Sequence, residues 1–166
     1  MSNRFSQVLM VSPEHFQISY AINPYMKDAN GKLQQIDLHK ALSQWEALKQ
    51  LYTDLGFKVH VLPGVPELPD MVFAANQSFP FWDGNGKPVV LLSRMRSPYR
   101  QPEVIHFRQW YESNGCSVFE IENPSLCFEG NGDGLVDPRG FIWGAFGPRT
   151  DKEIYREIEE RFDVNI

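Results

Sequence analysis

The feature that most constrains this chain is an internal repeat in which a helix-ending glycine is followed by a strand. Residues 51–59 (LYTDLGFKV) align with residues 110–118 (WYESNGCSV), and the offset is 59 residues at every position. At the same offset Asp70 corresponds to Glu129. Helix–strand alternation is common in α/β folds, so the two segments alone do not establish a repeat. The paired acids favour one, and they predict a pseudo-symmetric α/β fold in which both carboxylates face a common axis.

Hydrophobic periodicity and turn residues predict three helices and several short strands. Gly56 and Gly115 are predicted to end the first two helices, because glycine adopts the left-handed conformation without strain. A capping box of Thr150 and Glu153 is predicted to open the third. The helices are predicted over residues 37–55, 102–114 and 150–162. The strands are predicted over residues 7–11 (continued by 16–20), 58–61, 71–75, 88–93, 117–121, 141–145 and 164–166. Turn residues predict hairpin turns at residues 83–86 and 137–140.

Composition excludes several classes of protein. A length of 166 residues predicts a single domain over residues 1–166. The net charge of −5 argues against a nucleic-acid partner, and no apolar run approaches the roughly 18 residues of a membrane span. Two cysteines cannot form a disulfide scaffold, which favours the cytoplasm, and both are expected to be buried, unreactive thiols. The histidines lack metal-ligand spacing, so neither a metal nor a cofactor is expected.

The two aligned acids, Asp70 and Glu129, indicate a class of ligand. Two carboxylates that converge on one pocket suit a planar cation with several N–H donors, and guanidinium fits best because carboxylates bind it through paired parallel hydrogen bonds. Arg94 and Arg149 follow the predicted hairpins and would hold the anionic end of the same ligand. The implied ligand is a guanidino acid such as arginine. Alternatively, Asp70 is a turn residue after a proline, and the arginines are solvated loop charges.

Four segments, in order, resemble the guanidine-modifying superfamily, whose members share the pentein fold. They are residues 69–76 (PDMVFAAN), 93–94 (SR), 128–133 (FEGNGD) and 149–150 (RT). The superfamily includes dimethylarginine dimethylaminohydrolase, arginine deiminase and the amidinotransferases. The resemblance implies a partial α/β propeller with about half of the five repeated units of a pentein.

The resemblance also implies roles for individual residues. Asp70 and Glu129 would bind the substrate guanidinium, and Arg94 and Arg149 would contact the substrate carboxylate. Asn76 stands where some hydrolases of the superfamily carry a second aspartate, and it is taken as a further substrate-binding residue.

In the superfamily, a cysteine thiolate attacks the guanidinium carbon and a histidine transfers protons. Both belong to the C-terminal part of those enzymes, so this chain resembles an N-terminal half and is expected to be inactive alone. A hydrolase, an amidinotransferase, a non-catalytic binding domain and a half-enzyme completed by a second chain all remain open. Half a ring of repeats would leave two flanks bare, one at the first strand near Val8 and one beyond the third helix, whose apolar stripe is followed by Val164 and Ile166. Self-association, or a complementing C-terminal half, is therefore expected. Alternatively, the third helix folds back onto its own hairpin and leaves a monomer.

Overall fold

The structure, a computed structural model, describes residues 6–166, and residues 1–5 of the predicted single domain lie outside the described residues. The chain divides into two compact units, the first ending at Ala74 and the second beginning at Ala75. Over the described part, no helix is both long and apolar enough to cross a lipid bilayer. The predicted mixed α/β class is confirmed, and the described strands form three separate small sheets with no closed ring among them.

The first unit contains a parallel pair of strands joined by a helix. Strand β1 (Gln7–Val11) pairs in parallel with β2 (Lys58–Leu62), and α1 (Leu38–Asp54) connects them. The side chain of Asp37 accepts a hydrogen bond from the backbone N–H of Lys40, so it caps the helix at the predicted position.

The apolar stripe of α1 is not buried as its periodicity suggests. None of the helix residues is fully buried, and Leu51 is 53% exposed. The buried apolar side chains of this unit lie on the strands and in the segment after β2, and include Met10, Val11, Leu62 and Met71. Periodicity therefore predicts the helix correctly but does not decide what covers its apolar face.

The second unit is built on a three-stranded sheet. Strands β3 (Ser78–Trp82) and β4 (Pro88–Leu92) form an antiparallel hairpin, whose turn lies at the predicted residues 83–86. Helix α2 (Val104–Ser113) then leads to β5 (Val118–Phe119), which pairs in parallel with β4. The unit thus repeats the strand–helix–parallel strand arrangement of the first.

A second hairpin and the last helix complete this unit. Strands β6 (Gly134–Val136) and β7 (Ile142–Gly144) are antiparallel, and α3 (Ile154–Phe162) follows. The stripe of α3 packs into an aromatic-rich core. The core side chains are Phe79, Phe81, Val89, Leu91, Ile121, Phe128, Ile142, Ile154, Tyr155, Ile158 and Phe162.

The 59-residue repeat is visible in the backbone where the first two helices end. Gly56 and Gly115 have φ values of 83° and 73°, in the left-handed region that favours glycine. In both places the glycine N–H donates to the carbonyl three residues earlier, and the next N–H donates to the carbonyl five residues earlier. The predicted helix ends are therefore confirmed.

The strand predicted over residues 71–75 is wrong. Pro69–Val72 form a single turn of 3₁₀ helix, and the following strand begins only at Ser78. Proline fixes φ near the helical value and lacks an N–H, which suits the first position of such a turn. The predicted continuation of β1 over residues 16–20 is also absent from the structure.

The segment after α3 packs onto its own unit and exposes no apolar flank. Ile158 is 1% exposed, and Val164 and Ile166 lie partly buried against the core. The backbone N–H of Ile166 donates to the Glu159 carboxylate at 3.0 Å, and this segment is not a strand. The predicted exposed flank beyond the third helix is wrong, because that helix folds back onto the adjacent sheets.

Candidate functional site

The Glu129 carboxylate is the centre of a buried polar cluster in the second unit. Glu129 is 3% exposed and directly precedes the 3₁₀ turn Gly130–Gly132. Its Oε2 atom lies 3.7 Å from Arg149 Nη1 and accepts a hydrogen bond from Asn76 Nδ2 at 3.5 Å. The structure therefore brings together three of the predicted site residues.

The electrostatic environment of Glu129 balances burial against nearby cations. Burial raises the pKa of Glu129, because the ionised carboxylate loses hydration. The guanidinium groups of Arg149 and Arg100 and the backbone N–H of Arg96 lower this pKa, whereas the carboxylate of Asp133 raises it. A desolvated carboxylate of this kind is well placed to bind a further cation, because charge interactions are stronger where water is excluded.

The glycine-rich corner allows the backbone to approach this cluster closely. A Cβ atom at Gly132 would lie 2.2 Å from Asn76 Nδ2, and one at Gly130 would lie 2.4 Å from the backbone carbonyl oxygen of Ser78. Gly130 also has a φ of 52°. Glycine is required at Gly130, where both the backbone of Ser78 and the positive φ exclude a side chain, whereas a side chain at Gly132 would displace the Asn76 amide.

Asp133 and Thr150 hold the corner in place. Thr150 Oγ1 accepts a hydrogen bond from the Glu129 N–H at 3.1 Å and donates to Asp133 Oδ2 at 2.7 Å. Asp133 Oδ1 accepts from Arg149 Nη2 at 2.5 Å. The capping box predicted for Thr150 is wrong: the helix N-cap is Glu153, which makes no side-chain capping bond. The threonine hydroxyl is instead used within the site.

The two other predicted residues have different surroundings. The Arg94 guanidinium donates to the backbone carbonyls of Ile121, at 2.9 Å, and Asn123. Asp70 belongs to the first unit, where its Oδ2 atom accepts a hydrogen bond from Tyr20 Oη at 2.7 Å. Ligand binding by Arg94 and by Asp70 stays a prediction.

A buried ion pair that the sequence did not predict lies beside Asn76. Arg100 and Glu103 are both buried, and Arg100 Nη2 lies 3.0 Å from Glu103 Oε2. Gln77 Nε2 donates to the same carboxylate oxygen at 2.6 Å, and Arg100 Nη1 donates to Asn76 Oδ1 at 3.2 Å. The available signal was the three-residue spacing of the two opposite charges at the start of a helix.

The cysteines are more accessible than expected. Cys116 is exposed and Cys127 is half-buried, so the prediction that both thiols are buried is wrong. The backbone N–H of Cys127 donates to Asp151 Oδ2 at 2.7 Å. Across residues 6–166, no group of three or more His, Cys, Asp or Glu side chains is arranged to hold a metal ion.

Comparison with known proteins identifies relatives of this chain. Residues 12–166 match the family model described as N,N dimethylarginine dimethylhydrolase, eukaryotic. The chain is 32% identical over 159 residues to the bifunctional arginine dihydrolase/ornithine cyclodeaminase AgrE of Nostoc sp.. The aligned region covers 95% of this chain and 21% of that protein. It is 33% identical over 155 residues to the N(G),N(G)-dimethylarginine dimethylaminohydrolase of Mycobacterium tuberculosis, covering 93% of this chain and 47% of the relative. The chain therefore spans less than half the length of these two relatives.

A solved structure shares the fold. The N-terminal domain of ArgZ, an arginine dihydrolase from the ornithine–ammonia cycle in cyanobacteria, was determined as a variant bound to substrate. It superposes with a TM-score of 0.83 at 32% identity, and the match covers 95% of this chain and 55% of that one. Because the family model matches nearly the whole chain, this protein belongs to the eukaryotic-type N,N dimethylarginine dimethylhydrolase family of the guanidine-modifying superfamily.

Proposed function

We propose that this chain forms the guanidinium-binding part of a hydrolase that acts on arginine or a methylated arginine. The observation that carries the proposal is the buried Glu129 carboxylate, which has Asn76 and Arg149 as neighbours. The names of the relatives support the same class of ligand, because arginine dihydrolase and dimethylarginine dimethylaminohydrolase are both named for guanidino compounds. Both are named as hydrolases, which favours hydrolysis over amidino transfer.

Each residue of the proposed site has a role that follows from its chemistry. Glu129 binds the guanidinium through charge-assisted hydrogen bonds, which are stronger in a buried site. Arg149 has a side chain that is 46% exposed, and it binds the ligand carboxylate while Asp133 holds one edge of its guanidinium. Asn76 orients the Glu129 carboxylate and adds an amide to the ligand site.

From the resemblance alone, we also propose that Asp70 binds a guanidinium and that Arg94 contacts a ligand carboxylate. We further propose that the chain forms about half of a pentein propeller. We also propose that it associates as a homo-oligomer or with a complementing C-terminal half. The chemical step needs a thiolate nucleophile and a proton-transfer group. We propose that the 166-residue chain binds its ligand without turning it over.

Calorimetric titration of the 166-residue chain with L-arginine, asymmetric dimethylarginine and agmatine tests the proposed ligand class. Ornithine is the matched control ligand, because it keeps the amino-acid end of arginine and lacks the guanidinium. Glu129→Gln should weaken arginine binding by about tenfold or more, the value of a charge-assisted hydrogen bond. Glu112→Gln, an exposed glutamate on α2, should leave binding unchanged. Failure of all three guanidino ligands to bind, or equal binding by Glu129→Gln, would overturn the proposal.

A further inference from the structure

We propose that Arg100 is a positioning residue for this site: acting through the amide of Asn76, it sets the orientation of the Glu129 carboxylate. The inference rests on the proposed function only for the statement that Glu129 binds ligand. Arg100 itself is buried, and the proposed role requires no contact between Arg100 and the ligand.

The planar guanidinium of Arg100 donates hydrogen bonds to both Glu103 and Asn76. Its Nε atom donates to both carboxylate oxygens of Glu103, at 3.1 and 3.2 Å, and Nη2 donates to Oε2 at 3.0 Å. The remaining edge carries Nη1, which donates to Asn76 Oδ1 at 3.2 Å. Because the donors lie in one rigid plane, clamping Glu103 also fixes the direction in which Nη1 points.

This arrangement dictates which way the Asn76 amide faces. A guanidinium only donates hydrogen bonds, so the atom of Asn76 that faces Arg100 must be the acceptor Oδ1. The donor Nδ2 is then turned toward Glu129, where it contacts Oε2 at 3.5 Å. The reversed amide would place Oδ1 against a carboxylate and Nδ2 against a guanidinium, which is unfavourable at both ends. The backbone of Asn76 is also held, because Ser93 Oγ donates to its carbonyl at 2.5 Å.

Glu103 keeps Arg100 from competing with the ligand. The Glu103 side chain is fully buried and receives hydrogen bonds from Arg100 and from Gln77 Nε2. This carboxylate offsets the positive charge of Arg100, and loss of the Glu103 charge would increase the attraction of Arg100 to Glu129. The ion pair therefore leaves Arg100 able to orient Asn76 while the Glu129 carboxylate stays available to a ligand cation.

The pKa of Glu129 responds to the charges around it, so a titration of Glu129 reports on Arg100. Burial raises the pKa of Glu129, Arg149 and Arg100 lower it through their charges, the Arg96 backbone N–H lowers it through a hydrogen bond, and Asp133 raises it. Removing the charge of Arg100 should move this pKa upward. Removing the charge of Glu103 should move this pKa downward, because the charge of Arg100 is then less compensated and stabilises the ionised Glu129 carboxylate more.

The test is nuclear magnetic resonance on the ligand-free 166-residue chain, following the side-chain carboxyl carbon of Glu129 and the side-chain amide of Asn76 against pH. Arg100→Met should raise the pKa of Glu129, and Glu103→Gln should lower it. Both substitutions remove one charge of a buried ion pair and destabilise the fold, so a purely structural role would not shift the pKa of Glu129 in opposite directions. Arg108→Met is the matched control: this α2 arginine pairs with Glu112 and Glu120, and its loss should leave Glu129 at its wild-type titration.

Arg100→Lys keeps the positive charge and changes only the geometry of the donors. This variant serves as the test if Arg100→Met does not fold. A lysine ammonium lacks the planar fork, so the Asn76 amide signal should stop following the titration of Glu129. An unchanged amide signal in Arg100→Lys, or an unchanged Glu129 titration in Glu103→Gln, would overturn the positioning role. The expected changes in a chain that binds no guanidino ligand would support the positioning role and overturn the proposed function alone.

Discussion

The hydroxyl of Thr150 accepts a hydrogen bond from the backbone N–H of Glu129, with Oγ1 and N 3.1 Å apart. This bond ties the glycine-rich corner to the segment before α3. Arg149 directly precedes Thr150, so the same bond places the Arg149 guanidinium beside the Glu129 carboxylate, 3.7 Å away. One buried hydroxyl thus links the anion and the cation of the candidate site.

Thr150→Val should destabilise the second unit. Valine has nearly the shape of threonine, but it removes the hydroxyl that bonds the Glu129 N–H and Asp133 Oδ2. Loss of these buried hydrogen bonds should cost about 1–3 kcal/mol of the free energy of unfolding. Urea denaturation measures the loss, and Thr150→Ser should restore most of it. Thr53→Val is the control, since that exposed hydroxyl bonds only to a carbonyl within its own helix; an equal loss in both valine variants would contradict the prediction.

Gly132→Ala should impair ligand binding by displacing Asn76. The added Cβ would lie 2.2 Å from Asn76 Nδ2, so the amide must move away from Glu129. A cost of about 1–3 kcal/mol is expected for this overpacking, together with weaker arginine binding measured by calorimetry. Gly115→Ala is the comparison, because its strain comes from a φ of 73° with no neighbouring atom in the way. It should lose stability and keep arginine affinity, and the prediction is wrong if both variants keep it.

The effect of Glu129→Gln on the free energy of unfolding should depend on pH. The pKa of Glu129 in the folded chain is raised above its ordinary value of 4.5, chiefly by burial, so the folded state holds this proton more tightly than the unfolded state does. Wild-type stability therefore falls as pH rises from the ordinary value through the raised one, and glutamine does not take part in this loss. Relative to wild type, Glu129→Gln should be more stable at about pH 8 than at about pH 4.

Thermal unfolding of both proteins across this pH range measures the effect. Glu112→Gln, which replaces an exposed glutamate on α2, is measured in parallel as the control. A difference for Glu129→Gln that is constant, or that shrinks toward high pH, would show that burial does not dominate the titration of Glu129.

Ile158→Ala should be strongly destabilising, because the α3 stripe forms part of the core. Ile158 is 1% exposed, and its truncation should cost about 2–5 kcal/mol. Ile105→Ala, which truncates an isoleucine on α2 that is 47% exposed, should cost less than about 1 kcal/mol. Chemical denaturation compares the two, and equal costs would mean that α3 is not packed on its own unit.

The sequence determined those features that depend on neighbouring residues. Capping and backbone preferences act over a few residues. They account for the start of α1 at Asp37, the ends of the first two helices at Gly56 and Gly115, and the turn between β3 and β4. The α/β class and the family follow from the order of short motifs. The choice of Glu129, Asn76 and Arg149 as site residues also came from the sequence, and the structure brings these three together.

Tertiary structure alone decided what covers each face and which side chains meet. Periodicity could not show that Leu51 is exposed or that Ile158 is buried, because an apolar stripe does not specify its partner. The Thr150 hydroxyl accepts a hydrogen bond from the distant backbone N–H of Glu129 and does not cap its own helix, although the local sequence is that of a helix cap. The contacts from Arg100 to Asn76, and from Asn76 to Glu129, join residues far apart in the chain. No local preference encodes such pairs, since they form only when packing excludes water and each buried polar group must find a partner.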